Sequence, residues 1–313
     1  MLKLTKKCLI IFFAIFMLHL GIMYAMSPLV QDSYLAASID KIALLQNHPD
    51  GSILLVGGSS VAFGYDSAYL QDSTGRTVIN TGLHHGLGLR FTLNSILPYV
   101  QENDIVLLNL EYDHYLDSPD FKYSDVMRRM LSVDFFHNIA FMTTSDQWMT
   151  VLRYHSEYTL QTLWDDDPCP GVTYCRASFN AFGDIDARFN ISTAEFSQTL
   201  AAGIAKVDSN TYNQRLNYNA INVLNDFTRS VRERNASAFL VFPALPDAVM
   251  DVSMDGLQEI VGNIEQQVDS VILNEPTGYP GSFFLDTIYH LNNEGREAHT
   301  AAITELLLVE LNP

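Results

Sequence analysis

Residues 53–66 read ILLVGGSSVAFGYD: an apolar run stops at two glycines, two serines follow, and a further glycine stands at 64. A short continuous apolar run bounded by turn formers reads as a strand buried on both faces, the kind found in parallel sheets covered by helices. What comes after the run has two readings. Gly-Gly-Ser-Ser is ordinary turn chemistry ahead of a helix. It also sets hydroxyls at the carboxyl end of a strand, where open parallel sheets build their sites.

Working outward, RTVIN (76–80) and DIVLLNLEY (104–112) read as the second and third strands, with a helical stretch between them at about 87–99. Leu216, Ile221, Leu224, Phe227 and Val231 recur at helical spacing within 211–235, and ASAFLVFPALP follows as a strand ending in prolines. Further helices are expected at 254–268 and 292–311, with a short strand near GSFFLD (281–286). Strands alternating with helices imply an α/β fold with a parallel sheet and right-handed crossovers. From 113 to 210 the alternation is lost. DSPD, WDDDPCPGVTYC and FNAFGDID are rich in turn formers, and helical pieces are expected near 122–132 and 145–163. That segment reads as an irregular, partly helical insertion or cap on a domain spanning 51–313, with FNAFGDID (179–186) as an ordered loop over the site. WDDDP reads as a solvated loop, because three consecutive carboxylates lack the alternating spacing of a calcium loop.

Hydrophobic residues make up 48% of the 313 and charged residues 17%, which excludes a disordered chain and supports a sizeable core. The formal net charge is −18, so nothing would neutralise phosphates and nucleic acid is excluded as a partner. The first thirty residues differ in kind. Lys3, Lys6 and Lys7 precede an uncharged stretch from Cys8 to Gln31, whose centre is CLIIFFAIFMLHLGIMYAM (8–26). That is about the length of a spanning helix and longer than the apolar part of a cleavable signal. Residues 1–30 are therefore expected to form one transmembrane helix, an uncleaved anchor in the cytoplasmic (inner) membrane, with a cleaved signal as the alternative. The lysines keep the N-terminus in the cytoplasm and place the remainder outside, in the periplasm or its equivalent. Residues 31–50 read as a linker leading off the membrane, formed by a short helix and turn from 32 to 50. Cys169 and Cys175 flank a short loop that an oxidising compartment would close as a disulfide; a zinc pair fits the spacing less well.

A serine becomes a useful nucleophile when a base takes its proton and an acid orients that base. Asp286 and His290, four residues apart ahead of the last helix, supply such a pair for Ser59. Backbone amides at the strand-one turn, that of Ser60 among them, and a glycine at the strand-two turn are candidate donors to an oxyanion. Glu111, Tyr112 and His85 are candidates for pocket lining at the same sheet edge. His84 and His85 read more readily as turn residues than as metal ligands, and no metal or cofactor is called for.

ILLVGGSSVAFGYDS, VINTGLHHGLG and FFLDTIYHLNNEGR together resemble the SGNH/GDSL hydrolase superfamily, in particular its membrane-anchored, extracytoplasmic bacterial members. The resemblance covers the sheet core and implies a three-layer, flavodoxin-like α/β fold. It places Ser59 as nucleophile, His290 as base, Asp286 as acid, and Gly86, less readily Gly82, as the block-two oxyanion glycine. It implies a serine esterase or O-acyltransferase acting on acylated, chiefly acetylated, cell-envelope or exported polysaccharide. A degenerate member that binds glycan or partner proteins of an envelope assembly is the alternative. Three departures stand out. Gly58 replaces the block-one aspartate, the block-five spacing is Asp-x-x-x-His instead of Asp-x-x-His, and the third strand ends in NLEYDHY without the usual Gly-x-Asn-Asp.

Overall fold

The ILLVG run forms β1 (Ile53–Gly57), every residue of which is buried, and it pairs in parallel on both sides. In this computed structural model, which describes residues 2–26, 30–120, 124–149, 169 and 171–311, β1 lies second in a five-stranded sheet. Its companions are β2 (Val78–Asn80), β3 (Ile105–Asn109), β4 (Ser237–Val241) and β6 (Val271–Ile272), in the order β2-β1-β3-β4-β6. All four pairings are parallel, with Ile53 opposite both Val78 and Ile105, and Ile105 opposite Ser237.

Alternation along the strands divides the core between two faces. Leu54, Val56, Val106, Leu108 and Leu240 pack on one side with helix α5 (Leu89–Ile96) and the helices Tyr218–Arg232 and Asp247–Gln267. Ile53, Leu55, Ile105, Leu107 and Val241 pack on the other with α3 (Ser59–Gly64), α4 (Ser67–Thr74) and the last helix, Asn293–Leu311. A mostly parallel sheet in this strand order with helices on both faces is a flavodoxin-like α/β fold.

Several expectations are corrected. GSFFLD does not supply the fifth strand. It turns through a 3₁₀ segment at Gly281–Phe283, and Phe284 forms an isolated antiparallel bridge with Leu291. The fifth strand is β6, whose two residues were too few to register as a run. Two further residue pairs, β5 (Leu245–Pro246) and β7 (Gly278–Tyr279), make a small parallel sheet of their own. The helix expected from 254 begins at Asp247, where Pro246 in extended conformation ends β5 and leads straight into it. Residues 31–50 are no linker. Tyr34, Leu35, Ala36 and Leu45 are buried, and α2 (Ala37–Gln46) packs beside the sheet. Apolar residues set every three to four positions draw the segment into the core.

Within 113–210, the helix Ser124–Val133 shares a buried cluster with Phe63, Phe91 and Tyr34, so this part of the insertion is built into the domain. The expected helix at 145–163 is described only from 145 to 149; the rest of it and WDDDP lie outside the described residues. FNAFGDID does not cover the site. It runs along the free edge of β2, where the Asn80 amide donates to the Phe182 carbonyl (2.8 Å) and the Ile185 amide to the Ala62 carbonyl (2.9 Å). Asp184 accepts from Ser67 N (3.0 Å), Ser67 Oγ (2.6 Å) and Asn80 Nδ2 (2.8 Å) at 1% exposure.

Helix α1 spans Leu2–Met26, and its described side chains from Leu9 to Leu18 include many exposed apolar groups. Among the described residues no helix is long and apolar enough to cross a membrane; within α1 the described side chains are those of 5–18 and 21.

A buried ion pair closes the opposite end of the sheet from Ser59. His48 Nε2 lies 2.9 Å from Asp104 Oδ2 and Nδ1 lies 2.7 Å from the Leu45 carbonyl. Burial pulls the His48 pKa down, but the Asp104 hydrogen bond, the Leu45 carbonyl and the Asp104 charge outweigh it, and the net shift is upward. A raised value means folding holds a proton. The resulting stabilisation is complete below the ordinary histidine value of about 6.5 and is lost as pH rises through the folded value. His48→Gln is therefore expected to cost about 1.5–3 kcal/mol at mildly acid pH, the worth of a charged hydrogen bond. Urea titrations from pH 6 to 9 should show the deficit narrowing with pH; a constant deficit would contradict the charged pair.

Candidate functional site

Ser59 is the first residue of α3, which leaves β1 through Gly58, and it is 7% exposed. Its Oγ donates to Glu111 Oε1 at 3.4 Å, and the Ser60 amide donates to the same oxygen at 3.2 Å. Glu111 stands just beyond the end of β3, 1% exposed, and its other oxygen lies 3.3 Å from His85 Nδ1. A Cβ built on Gly58 would lie 2.8 Å from Glu111 Oε1 and 2.9 Å from the His85 Cβ. The carboxylate next to the serine thus arrives from β3, and it occupies space that any side chain at 58 would need. That accounts physically for glycine at position 58.

Asp286 and His290 meet because the chain between them closes on itself. Phe284 pairs with Leu291, the Leu285 amide donates to the His290 carbonyl (2.8 Å), and Thr287 Oγ1 accepts from the His290 amide (3.1 Å). His290 Nδ1 then lies 2.8 Å from Asp286 Oδ1, and both residues are 7% exposed. The imidazole stacks on Phe63, ring centres 4.3 Å apart and 8° from parallel. Phe63 sits one helical turn beyond Ser59, so the imidazole stacks on a residue that shares a face of α3 with the serine. Burial works to raise the Asp286 pKa, but hydrogen bonds from His290 and Tyr174 and the His290 charge prevail, and it falls below the usual carboxylate value.

Tyr174 completes this half of the site. Its hydroxyl donates to Asp286 Oδ2 and lies 3.1 Å from His290 Nδ1. Cys169 and Cys175 form a disulfide, Cα atoms 4.8 Å apart, across the loop that carries it. Tyr34, whose ring centre is 5.8 Å from that of Tyr174, donates to the Leu83 carbonyl at 2.8 Å. Burial drives the Tyr34 hydroxyl far above its ordinary pKa, and the charges of Glu111 and Asp286 both add to the shift.

The sequence-derived site assembles in part. Ser59, Glu111 and His85 form one contact group and Asp286 and His290 another, related through Phe63 on the helix that Ser59 begins, and among the described residues no hydrogen bond joins Ser59 to His290. The oxyanion donors need correction, because each amide already has an acceptor. Ser60 N serves Glu111, Gly86 N donates to His84 Nδ1 (2.9 Å) and Gly82 N to Asn80 Oδ1 (2.9 Å). Gly82 is glycine for packing, since a Cβ there would come 2.5 Å from that of Val61 and 2.6 Å from the Ala62 nitrogen. Tyr112 does not line a pocket. It is fully buried, with its ring stacked on Phe242 in the core cluster that includes Leu108 and Tyr212. Asn109 turns away from the serine to donate to Tyr65 OH at 2.8 Å. His84 is held neutral; burial, then the neighbouring His85, lower its pKa to about 4 against the pull of Glu111.

Tyr174, Tyr34 and Phe63 were not anticipated. Phe63 had an audible signal in its i+4 relation to Ser59, whereas nothing local tied Tyr174 to a loop 112 residues away. Among the described residues no group of three His, Cys, Asp or Glu side chains is placed to hold a metal. No protein-family model and no curated protein matches the chain.

Proposed function

We propose that the protein is a serine esterase or O-acyltransferase of the SGNH type, acting on acylated, chiefly acetylated, polysaccharide of the cell envelope. The observation that carries this is the Asp286–His290 pair at 2.8 Å, with the imidazole stacked on the helix whose first residue is Ser59. With Nδ1 committed to Asp286, the base is Nε2. The reaction requires a Ser59 rotamer that turns Oγ away from Glu111 and towards Nε2, and such contacts commonly tighten only when substrate binds. Oγ then attacks the acyl carbonyl carbon while its proton passes to Nε2. The same proton leaves with the departing alcohol, giving acyl-Ser59. Water as the second acceptor makes a deacylase; a sugar hydroxyl makes a transferase.

The setting follows from the N-terminus and the cysteines. The uncharged run from Cys8 to Gln31 has about the length that a spanning helix requires, and three lysines precede it. The Cys169–Cys175 disulfide suits an oxidising compartment. We place the chain as a single-pass protein of the cytoplasmic membrane with its α/β domain outside, where envelope partner proteins are within reach. Membranes washed with alkaline carbonate should retain it; release into the supernatant would refute the anchor.

One observation favours a second reading, a binding component without turnover: the candidate oxyanion amides are engaged inside the protein. Labelling of the full chain by a fluorophosphonate separates the two. Covalent modification of Ser59, seen as a mass increment on its peptide, is expected of the enzyme. No labelling, combined with unchanged acetyl content of surface glycan in a Ser59→Ala strain, would leave the binding reading.

A further inference from the structure

We propose that Tyr174 is a positioning residue for the Asp286–His290 pair, delivered by the disulfide loop, and that it fixes which imidazole nitrogen is free to accept the Ser59 proton. This rests on the esterase or transferase reading of the site and adds to it a residue from the insertion.

Asp286 has two oxygens with separate duties. Oδ1 faces His290 Nδ1 at 2.8 Å, and Oδ2 accepts from the Tyr174 hydroxyl. The phenol oxygen also lies 3.1 Å from His290 Nδ1. A phenol has one hydrogen to give, and here it goes to Asp286. Toward Nδ1 it therefore presents only lone pairs, as Asp286 Oδ1 does. Two acceptors facing one ring nitrogen require that nitrogen to carry the hydrogen. Nδ1–H is thereby set, and Nε2 keeps the lone pair that a base needs.

The tyrosine is held firmly enough for this task. Its ring packs against Tyr34 and Phe63, with centres 5.8 Å away in both cases, and edge-on against Phe196 at 6.5 Å. Burial, the Asp286 charge and the bond to Asp286 push its pKa far above the ordinary tyrosine value, so it stays a donor. The disulfide closes the loop on either side: Cys175 is the next residue, and Thr173 Oγ1 donates to the Phe189 carbonyl at 2.8 Å. Asp286 and His290 sit at the two ends of a closed loop without a helical scaffold, and a second hydrogen bond to Oδ2 helps to fix the carboxylate plane.

The test uses the full chain carrying Tyr174→Phe, with His290→Gln to assign the ring resonances. Histidine side-chain ¹⁵N–¹H correlation spectra report the tautomer directly and need no turnover. Wild type is expected to show hydrogen on Nδ1 of His290, and Tyr174→Phe a mixture of tautomers. Fluorophosphonate labelling of Ser59 should slow about tenfold or more, the scale of one charged hydrogen bond, with KM for p-nitrophenyl acetate and the urea midpoint unchanged. Cys169→Ser/Cys175→Ser should reproduce the defect, and adding Tyr174→Phe to it should change the rate less than twofold further. An unaltered tautomer with labelling within twofold of wild type would overturn the proposal. So would a loss of labelling that merely tracks a fall in the urea midpoint. A wild type that never labels, but whose tautomer still responds to Tyr174→Phe, would refute the esterase reading and leave the positioning role standing.

Discussion

Replacing Ser59 with alanine is expected to abolish fluorophosphonate labelling and to lower p-nitrophenyl acetate turnover at least about 10³-fold, with the urea midpoint barely moved. Ser59 donates one hydrogen bond at 3.4 Å to a carboxylate that keeps its other partners, so its removal costs catalysis far more than folding. Two groups are candidates to take its proton, Glu111 in contact with it and His290 on the Phe63 ring of the same helix, and the experiment extends to both. His290→Gln should reproduce the loss, and the double variant should be no worse than either single one, since residues that act as a unit are not additive. Glu111→Gln keeps the shape beside Ser60 and removes the charge, and is expected to leave labelling within about tenfold of wild type. If Glu111→Gln abolished labelling while His290→Gln spared it, the assignment of the base to Asp286–His290 would fall.

Asp184→Ala is expected to destabilise the fold by about 3–5 kcal/mol, the cost of breaking a buried charged network by deleting one member. Asp184 holds Ser67 at the start of α4 and Asn80 at the end of β2, and Asn180 Nδ2 donates to it at 3.3 Å. Lys41 lies nearby, buried, with Nζ donating to the Asn80 carbonyl (2.9 Å) and to that of Gly183. Burial lowers the Lys41 pKa against the attraction of Asp184, and burial raises that of Asp184 against its hydrogen bonds. Asp184→Asn combined with Lys41→Met should therefore cost less than the two single changes added together. Urea denaturation measures all of these. A loss below about 1 kcal/mol for Asp184→Ala would show that the loop 179–186 is not the staple its contacts describe.

Much of the fold is written in short-range pattern. ILLVG and IVLLN read as strands because burial on both faces demands continuous apolar residues, and that demand is visible within five positions. Helix Tyr218–Arg232 was legible for a similar reason, from Ile221, Leu224, Phe227 and Val231 recurring at helical spacing. The two-residue strands β6 and β7 were not, since their pairing depends on neighbours and not on a pattern of their own.

Ser59 after its strand, Asp286 and His290 four residues apart, and the cysteines of the loop 169–175 could be singled out from the chain alone, because turn chemistry and short spacings are local properties. The partners that define what Ser59 and Asp286 do are remote. Glu111 reaches Ser59 across 52 residues and Tyr174 reaches Asp286 across 112. Whether an amide is open to a ligand or already bonded is also a matter of packing, as the Ser60 and Gly86 amides show. A linear pattern names side chains able to do chemistry; folding selects the groups that stand around them, since only the packed chain decides which buried donor meets which acceptor.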